Sequence, residues 1–275
     1  MASGSEEVAS HYTRGNLGDI ILSALTDAGK DIDALTPADL APVDEFHVRG
    51  REATVELAKL AGIGPGVRVL DVGCGIGGPS RHLASEFGCR VTGLDITEEY
   101  CRVAATLAER TGLNDRVDYR QGDALDMPFA EASFDVVWTQ HAAMNIADRA
   151  TLYSEMRRVL EPGGRLAIYD IVAGDGGDVH FPVPWAREPS ISFLLSAQAM
   201  REVLEQTGFR VTAWRDVTAP ALDWFRARMA TMQEGRPPPL GLHILVGPDF
   251  ARMAANQIKN LEENRIALVQ AVLER

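Results

Sequence analysis

The stretch VLDVGCGIGGPSRHLA, Val69 to Ala84, restricts the fold more than any other part of the chain. An apolar run stops at Asp71, four glycines fall within the seven residues from Val72 to Gly78, and a helix-like segment then resumes. Glycine admits positive φ and lets another molecule approach the backbone closely. Pro79 suits the first turn of the helix behind it. A buried strand, a glycine loop and a helix N-terminus in that order suit a parallel α/β sheet, where ligands sit beyond the carboxyl ends of the strands. The glycines can be read in two ways. Gly73, Gly75 and Gly78 make a G-x-G-x-x-G, which suggests a dinucleotide and a nicotinamide-dependent oxidoreductase. Gly73, Gly75 and Gly77 make a G-x-G-x-G with Asp71 two residues ahead, which suggests a ligand of different charge.

The rest of the chain alternates in the same sense. RVLDV (68–72), RVTGLDI (90–96), VDYRQGDA (117–124), FDVVWTQ (134–140) and RLAIYDIV (165–172) read as strands. PSRHLASEF (79–87), the segment EEYCRVAATLAERTGL capped by Thr97, and residues from about 149 to 160 ahead of EPGG read as the helices between them. GFRVTAWRDVT (208–218) and the terminal RIALVQAVLER add two strands. Strand alternating with helix at this spacing predicts an α/β, doubly wound, mostly parallel seven-stranded sheet. The expected organisation is an N-terminal helical cap over 1–45, broken between Pro37 and Pro42, and a ligand-binding core over 46–218. A helical insertion over 219–263, including GRPPPLG (235–241), and a final strand over 264–275 complete it.

A chain of 275 residues with 46% hydrophobic content can bury one substantial core. A net charge of −12 without a dense Lys/Arg cluster argues against nucleic acid or an anionic membrane as partner, because either needs a basic stripe. No run of about 18 apolar residues predicts a membrane span, and MASGSEEVAS lacks the basic and apolar regions of a secretory signal. Cys74, Cys89 and Cys101 form no C-x-x-C pair, so no metal site or disulfide framework is expected and a reducing cytoplasm is the expected location. The sequence leaves self-association into a homo-oligomer open.

Three carboxylates choose between the two glycine readings. Asp71, at the end of the first strand, would repel a pyrophosphate but suits a ligand with a positive amino group. Asp95 ends the second strand, where a carboxylate accepts from both ribose hydroxyls. Asp123, in QGDALDMPF after the third strand, suits an adenine exocyclic amine, with the Ala124 N–H donating to a ring nitrogen. Together they describe S-adenosylmethionine, a cationic ligand without phosphates. VLDVGCGIGG, VTGLDIT, GDALDMPF, SFDVVWTQH and RVLEPGGRLAIYD, in this order, resemble the class I S-adenosylmethionine-dependent methyltransferases. The resemblance covers residues 45 to 215 and leans toward small-molecule enzymes of the quinone-biosynthesis and sarcosine/dimethylglycine type, and toward sugar O-methyltransferases.

The resemblance implies N- or O-methylation of a small soluble molecule, with C-methylation of a quinone-like or lipid-like acceptor as the alternative. It implies that Asp71, Gly73, Gly75 and Gly77 lie along the methionine end of the cofactor. It implies that Asp95 takes the ribose, that Ile96 stacks on the adenine, that Asp123 and Ala124 read its edge, and that Gln140 faces cofactor and substrate. His141 follows the fourth strand and is the candidate base, since its ordinary pKa lies near neutrality. Tyr12 resembles an N-terminal tyrosine that closes over the methyl group. His47, Arg49, Asn145 and Trp185 are the candidate substrate contacts. Arg49 suits a substrate carboxylate, and Trp185, in the stiff HFPVPWAREP, suits a pocket wall.

Overall fold

The computed structural model describes residues 4–232 and 240–275. Residues 235–239 of the proline-rich stretch therefore lie outside the described residues. The strands are β1 (Arg68–Val72), β2 (Arg90–Asp95), β3 (Val117–Gln121), β4 (Phe134–Gln140), β5 (Leu160–Ala173), β6 (Arg210–Asp216) and β7 (Ile266–Glu274). They form a seven-stranded sheet in the order β3-β2-β1-β4-β5-β7-β6. β1 to β5 run parallel, while β7 is antiparallel to both β5 and β6. The chain winds outward from β1 to β3 and then returns to place β4 beside β1. That reversal opens a crevice at the carboxyl ends of β1 and β4.

The central strands carry near-continuous apolar runs because helices cover both faces. Leu70 and Val137 are fully buried, as is Trp138. β3 stands at the sheet edge with Asp118 and Arg120 exposed, which discourages pairing with another chain. β5 starts at Leu160, earlier than the sequence suggests. EPGG is carried within the strand, and the ladder shifts register between Phe134 and Val136 where Gly163 takes a φ of 77°.

The N-terminal region forms α1 (Gly4–Tyr12), α2 (Leu17–Asp27), α3 (Pro37–Asp44) and α4 (Gly50–Leu60). The break expected between Pro37 and Pro42 is instead the helix α3. Pro37 occupies its first turn, where no N–H is needed, and Thr36 closes a capping box with Asp39. The core helices are α5 (Gly78–Phe87), α6 (Glu98–Arg110), α7 (Arg149–Val159) and α8 (Ala197–Gln206). Thr97 precedes α6 but makes no side-chain cap; its N–H instead donates to Asp95 Oδ1 at 2.9 Å. α9 (Thr218–Met232), α10 (His243–Val246) and α11 (Phe250–Glu262) lie between β6 and β7.

Leu17, Ile21 and Leu25 recur every four residues and put one stripe of α2 into a cluster with Tyr100, Val103 and Leu107 of α6 and with Leu245, Val246 and Met253. Ile76 of the glycine loop belongs to the same cluster. Burying each such side chain stabilises by roughly 1.5–3 kcal/mol, so the N-terminal helices are anchored mainly by this stripe. Polar contacts fix their register. Glu99 accepts from the N–H groups of Arg14, Gly15 and Leu17 at 2.6, 2.9 and 2.9 Å, at the entry to α2.

Arg81, fully buried on α5, ties three elements together. Its guanidinium donates to Asp44 Oδ1 at 2.6 Å, to the Ile76 carbonyl at 2.8 Å and to the Ala104 carbonyl at 3.3 Å. Burial raises the Asp44 pKa to about 6, against the pull of the guanidinium, so the pair is ionised at neutral pH. Removing one partner strands a buried charge. Arg81→Met should therefore lose about 3–5 kcal/mol of stability in urea denaturation at pH 7. A loss below about 1 kcal/mol would show that the cap holds without this pin.

Candidate functional site

A cavity of about 340 Å³ lies at the carboxyl edge of the sheet, over the crevice. Residues following β1 (Gly73 to Ile76), β2 (Ile96), β3 (Gly122 to Leu125) and β4 (His141, Ala142, Asn145 to Asp148) form its floor, together with Asp71, Asp95 and Gln140 at the strand ends. Val8, Tyr12, Phe46, His47 and Leu245 close it from the cap and insertion, and Phe193 from the segment after β5.

The glycines of the loop divide by what a side chain would meet. A Cβ on Gly75 would meet nothing within 4 Å, and Gly75 borders the cavity at a φ of 56°. A Cβ on Gly73 would lie 2.4 Å from Ala142 Cβ, and one on Gly78 would lie 2.2 Å from the Asp44 carbonyl oxygen. Gly77 does not border the cavity, contrary to expectation. It precedes α5, and a Cβ there would strike the Tyr119 hydroxyl at 2.3 Å. Of the four, only Gly75 has open space beside it; the others are kept bare by protein.

Two acids at the strand ends are held in unfavourable surroundings. Burial raises the Asp71 pKa to about 7; the Ser80 hydroxyl, donating at 2.6 Å, pulls it back, while Asp95 and Glu45 push it up. Burial also raises the Asp95 pKa, opposed by the N–H groups of Thr97 and Gly75, each donating at 2.9 Å. Asp123 accepts from the Leu125 N–H at 2.9 Å. No Lys or Arg lines the cavity among the described residues. Buried carboxylates without a cation are costly, and a ligand bringing a positive charge would relieve them. That fits S-adenosylmethionine and opposes a pyrophosphate. Among the described residues no group of three or more His, Cys, Asp or Glu is placed to hold a metal ion.

The residues after β4 make the other wall. Gln140 Oε1 accepts from Trp138 Nε1 at 3.0 Å and from the Thr54 hydroxyl at 3.4 Å, while its Nε2 is buried without a hydrogen-bond partner. His141 follows in the left-handed region at φ 50°, its N–H donating to the Tyr169 carbonyl at 2.8 Å. Its ring lies 4.7 Å from Tyr169 and 6.1 Å from His47, and its Nε2 is also buried without a partner. Burial, and then the neighbouring His47, hold the His141 pKa well below the ordinary histidine value. The near-neutral value expected from sequence is thus corrected: the ring is neutral throughout the physiological range. Burial likewise lowers His47 to about 4, and its Nε2 donates to the Gly50 carbonyl at 2.9 Å.

Three expected substrate contacts are committed elsewhere. Arg49 lies outside the cavity wall, paired with Glu56 at 2.7 Å and Glu52 at 3.1 Å, so it has no reach to a substrate carboxylate. Trp185 is buried outside the wall, its indole N–H donating to Ser192 Oγ at 3.0 Å. Asn145 borders the cavity, but both amide hydrogens are spent on the Trp185 and Ile191 carbonyls at 2.8 Å each. Its Oδ1 accepts from the Tyr12 hydroxyl at 2.9 Å, so the pair latches α1 over the opening. Trp224 and Phe225 pack against the core and do not border the cavity. Sequence reasoning missed Tyr100, Ile146, Phe193 and Leu245 as wall residues. Tyr100 sits in the apolar pattern of α6 and is indistinguishable there from core; the others carry no local signal.

The methyltransferase domain family matches residues 70–168. The chain is 31% identical over 187 residues to the O-methyltransferase resE of Aspergillus sclerotiorum, covering 65% of this chain and 68% of that protein. It is 44% identical over 119 residues to the sterol 24-C-methyltransferase ERG6B of Gibberella zeae, covering 43% of this chain and 31% of that protein. It spans about a third to three-fifths of the length of several curated relatives that it matches. Among solved structures, a geranyl diphosphate C-methyltransferase from Streptomyces coelicolor has the same fold, with a TM-score of 0.72 at 19% identity, covering 100% of this chain and 98% of that one.

The open space at Gly75 generates a steric test. Gly75→Val should abolish S-adenosylmethionine binding in calorimetry while cooperative unfolding persists, because a branched side chain would enter the cavity. Normal binding by a folded variant would show that this glycine does not face the ligand.

Proposed function

This chain belongs to the class I S-adenosylmethionine-dependent methyltransferases, and we propose that it transfers a methyl group to a nitrogen or oxygen of a small-molecule acceptor. The observation that carries this reading is the pair of buried acids, Asp71 and Asp95, beneath a glycine loop in a wall that holds no Lys or Arg among the described residues, which suits a cationic nucleoside. S-adenosylmethionine, when bound, supplies a methyl carbon already activated by its sulfonium leaving group.

In this reading Asp71, Gly73 and Gly75 flank the amino-acid end of the cofactor. Asp95 accepts from the ribose hydroxyls, Ile96 covers the adenine face, and Asp123 with the Ala124 N–H reads the adenine edge. Gln140, His141 and Tyr12 surround the methyl position. The protein chiefly aligns the acceptor and excludes water, and the Tyr12–Asn145 latch serves that exclusion. His141 is the base where the acceptor must lose a proton. C-methylation of a quinone-like or lipid-like acceptor is the second reading, favoured by the apolar lining at Val8, Phe46, Ile146, Phe193 and Leu245. A cytoplasmic location fits three cysteines that are all free; no described helix is long and apolar enough to cross a membrane.

Asp95→Ala should weaken S-adenosylmethionine binding about 10- to 100-fold, roughly 1.5–3 kcal/mol, through loss of charge-assisted hydrogen bonds. Unchanged affinity in calorimetry would remove the assignment of the ribose site.

His141→Gln should lower kcat on the order of 10²–10⁴-fold for a hydroxyl or carbon acid, with cofactor affinity nearly unchanged. For an amine already neutral when bound, the loss should be far smaller. The pH dependence separates two groups. Asp71 titrates at about 7 and attracts a cationic ligand only when ionised, so kcat/KM for S-adenosylmethionine should rise through about pH 7. That rise should persist in His141→Gln and vanish in Asp71→Asn. A neutral limb lost with His141 instead would reverse the assignment.

A further inference from the structure

Resting on the methyltransferase reading, we propose that the acceptor is an uncharged, largely apolar molecule that presents a hydroxyl group to Gln140 and His141. The charge class follows from the wall. Its ionisable side chains among the described residues are Asp44, Asp71, Asp95, Asp123, Asp148, Tyr12, Tyr100, Cys74 and two histidines. Asp44 is already paired with Arg81, and Asp148 caps α7 through the Thr151 N–H at 2.9 Å. His47 and His141 are neutral at physiological pH because burial disfavours their charged forms. Nothing in this wall compensates a phosphate or carboxylate, and a buried unpaired anion beside further acids is strongly disfavoured. The acceptor body meets Val8, Phe46, Ile146, Phe193 and Leu245, which ask for apolar surface.

The reacting group follows from two polar atoms on consecutive residues, each without a hydrogen-bond partner in the protein. Gln140 is only 7% exposed. The Trp138 indole can only donate, so its 3.0 Å bond identifies the acceptor end of the Gln140 amide and fixes the orientation of the group. The Gln140 Nε2 donors therefore have no protein acceptor, and the residue borders the cavity. The neighbouring His141 Nε2 is likewise unpartnered and, in the Nδ1-protonated tautomer of the neutral ring, able to accept a proton. A hydroxyl satisfies both. Its oxygen has two lone pairs, so it can accept from Gln140 with one and attack with the other while its proton faces His141. A neutral amine has one lone pair, and accepting from Gln140 would remove its nucleophilicity. An isolated carbon–carbon double bond offers Gln140 no acceptor at all.

The step balances within the cavity. The acceptor oxygen forms a bond to the methyl carbon, the carbon–sulfur bond breaks with its electron pair passing to sulfur, and the hydroxyl proton passes to His141 Nε2. One positive charge leaves the sulfonium and one arrives on the imidazole, so the net charge over Asp71 and Asp95 does not change. A base weakened by burial can serve because the charge it takes up is charge the pocket already holds.

The test uses the full chain saturated with S-adenosylhomocysteine, titrated in a calorimeter with matched ligands in which one apolar body carries different heads. The set begins with 4-pentylphenol, 4-pentylaniline and 4-pentylbenzoate and extends to longer alkyl and terpenoid bodies with the same heads. The hydroxyl member should bind at least tenfold tighter than the carboxylate in every set that binds. Gln140→Leu should weaken the hydroxyl member about five- to tenfold while S-adenosylmethionine affinity moves less than twofold. Equal or tighter binding of the carboxylate members, or no hydroxyl member bound by the loaded protein, overturns the proposal. The opposite split in Gln140→Leu, with cofactor affinity lost and acceptor affinity kept, also overturns it by returning Gln140 to the cofactor. Failure of wild-type protein to bind S-adenosylhomocysteine would instead overturn the methyltransferase reading on which the proposal rests.

Discussion

The Arg81 guanidinium, buried on the first helix behind the glycine loop, is the contact on which the site depends. One planar cation reaches the end of the N-terminal cap through Asp44, the glycine loop through the Ile76 carbonyl, and the next core helix through the Ala104 carbonyl. These elements come from distant parts of the sequence and have no strand ladder in common. The close approach of Asp44 to Gly78, where a Cβ would come within 2.2 Å of the Asp44 carbonyl oxygen, exists because α3 ends against the start of α5. The apolar cluster around Leu17, Ile21 and Leu25 supplies adhesion, but adhesion is not directional. The ion pair and the Glu99 bonds to the entry of α2 decide where the cap lies, and with it which side chains close the cavity.

The cavity floor then works against the fold and in favour of binding. Asp71 is raised from the ordinary aspartate value of 3.8 to about 7 by burial. A carboxyl raised in this way contributes stability that is fully present below the unfolded value of 3.8 and is lost as pH rises through about 7. At neutral pH the folded chain carries that cost without a counter-charge in the described wall, and a cationic ligand removes it. On the proposed reading, the same absence of cations in the described wall that favours S-adenosylmethionine at one end of the cavity would disfavour anionic acceptors at the other. On that reading, cofactor choice and acceptor choice are two consequences of one electrostatic feature.

The sheet, the glycine loop and the three acids at strand ends were legible in the residue pattern alone. Those features are local: β1 and β4 are apolar runs bounded as the pattern indicates, and Asp71, Asp95 and Asp123 stand where the strands stop. The remainder depended on packing. Arg49 was claimed by Glu56 two turns further along α4, whereas Asn145 was claimed by carbonyls 40 and 46 residues away and Gly77 by the Tyr119 hydroxyl, through contacts that no local pattern encodes. Gln140 and His141 are adjacent in the chain, yet their significance came from Trp138, Thr54, His47 and Tyr169 around them. A side chain's type and its place at a strand end are written locally. Whether its donors are already satisfied, and whether its charge is solvated, depends on partners that only the packed chain brings near.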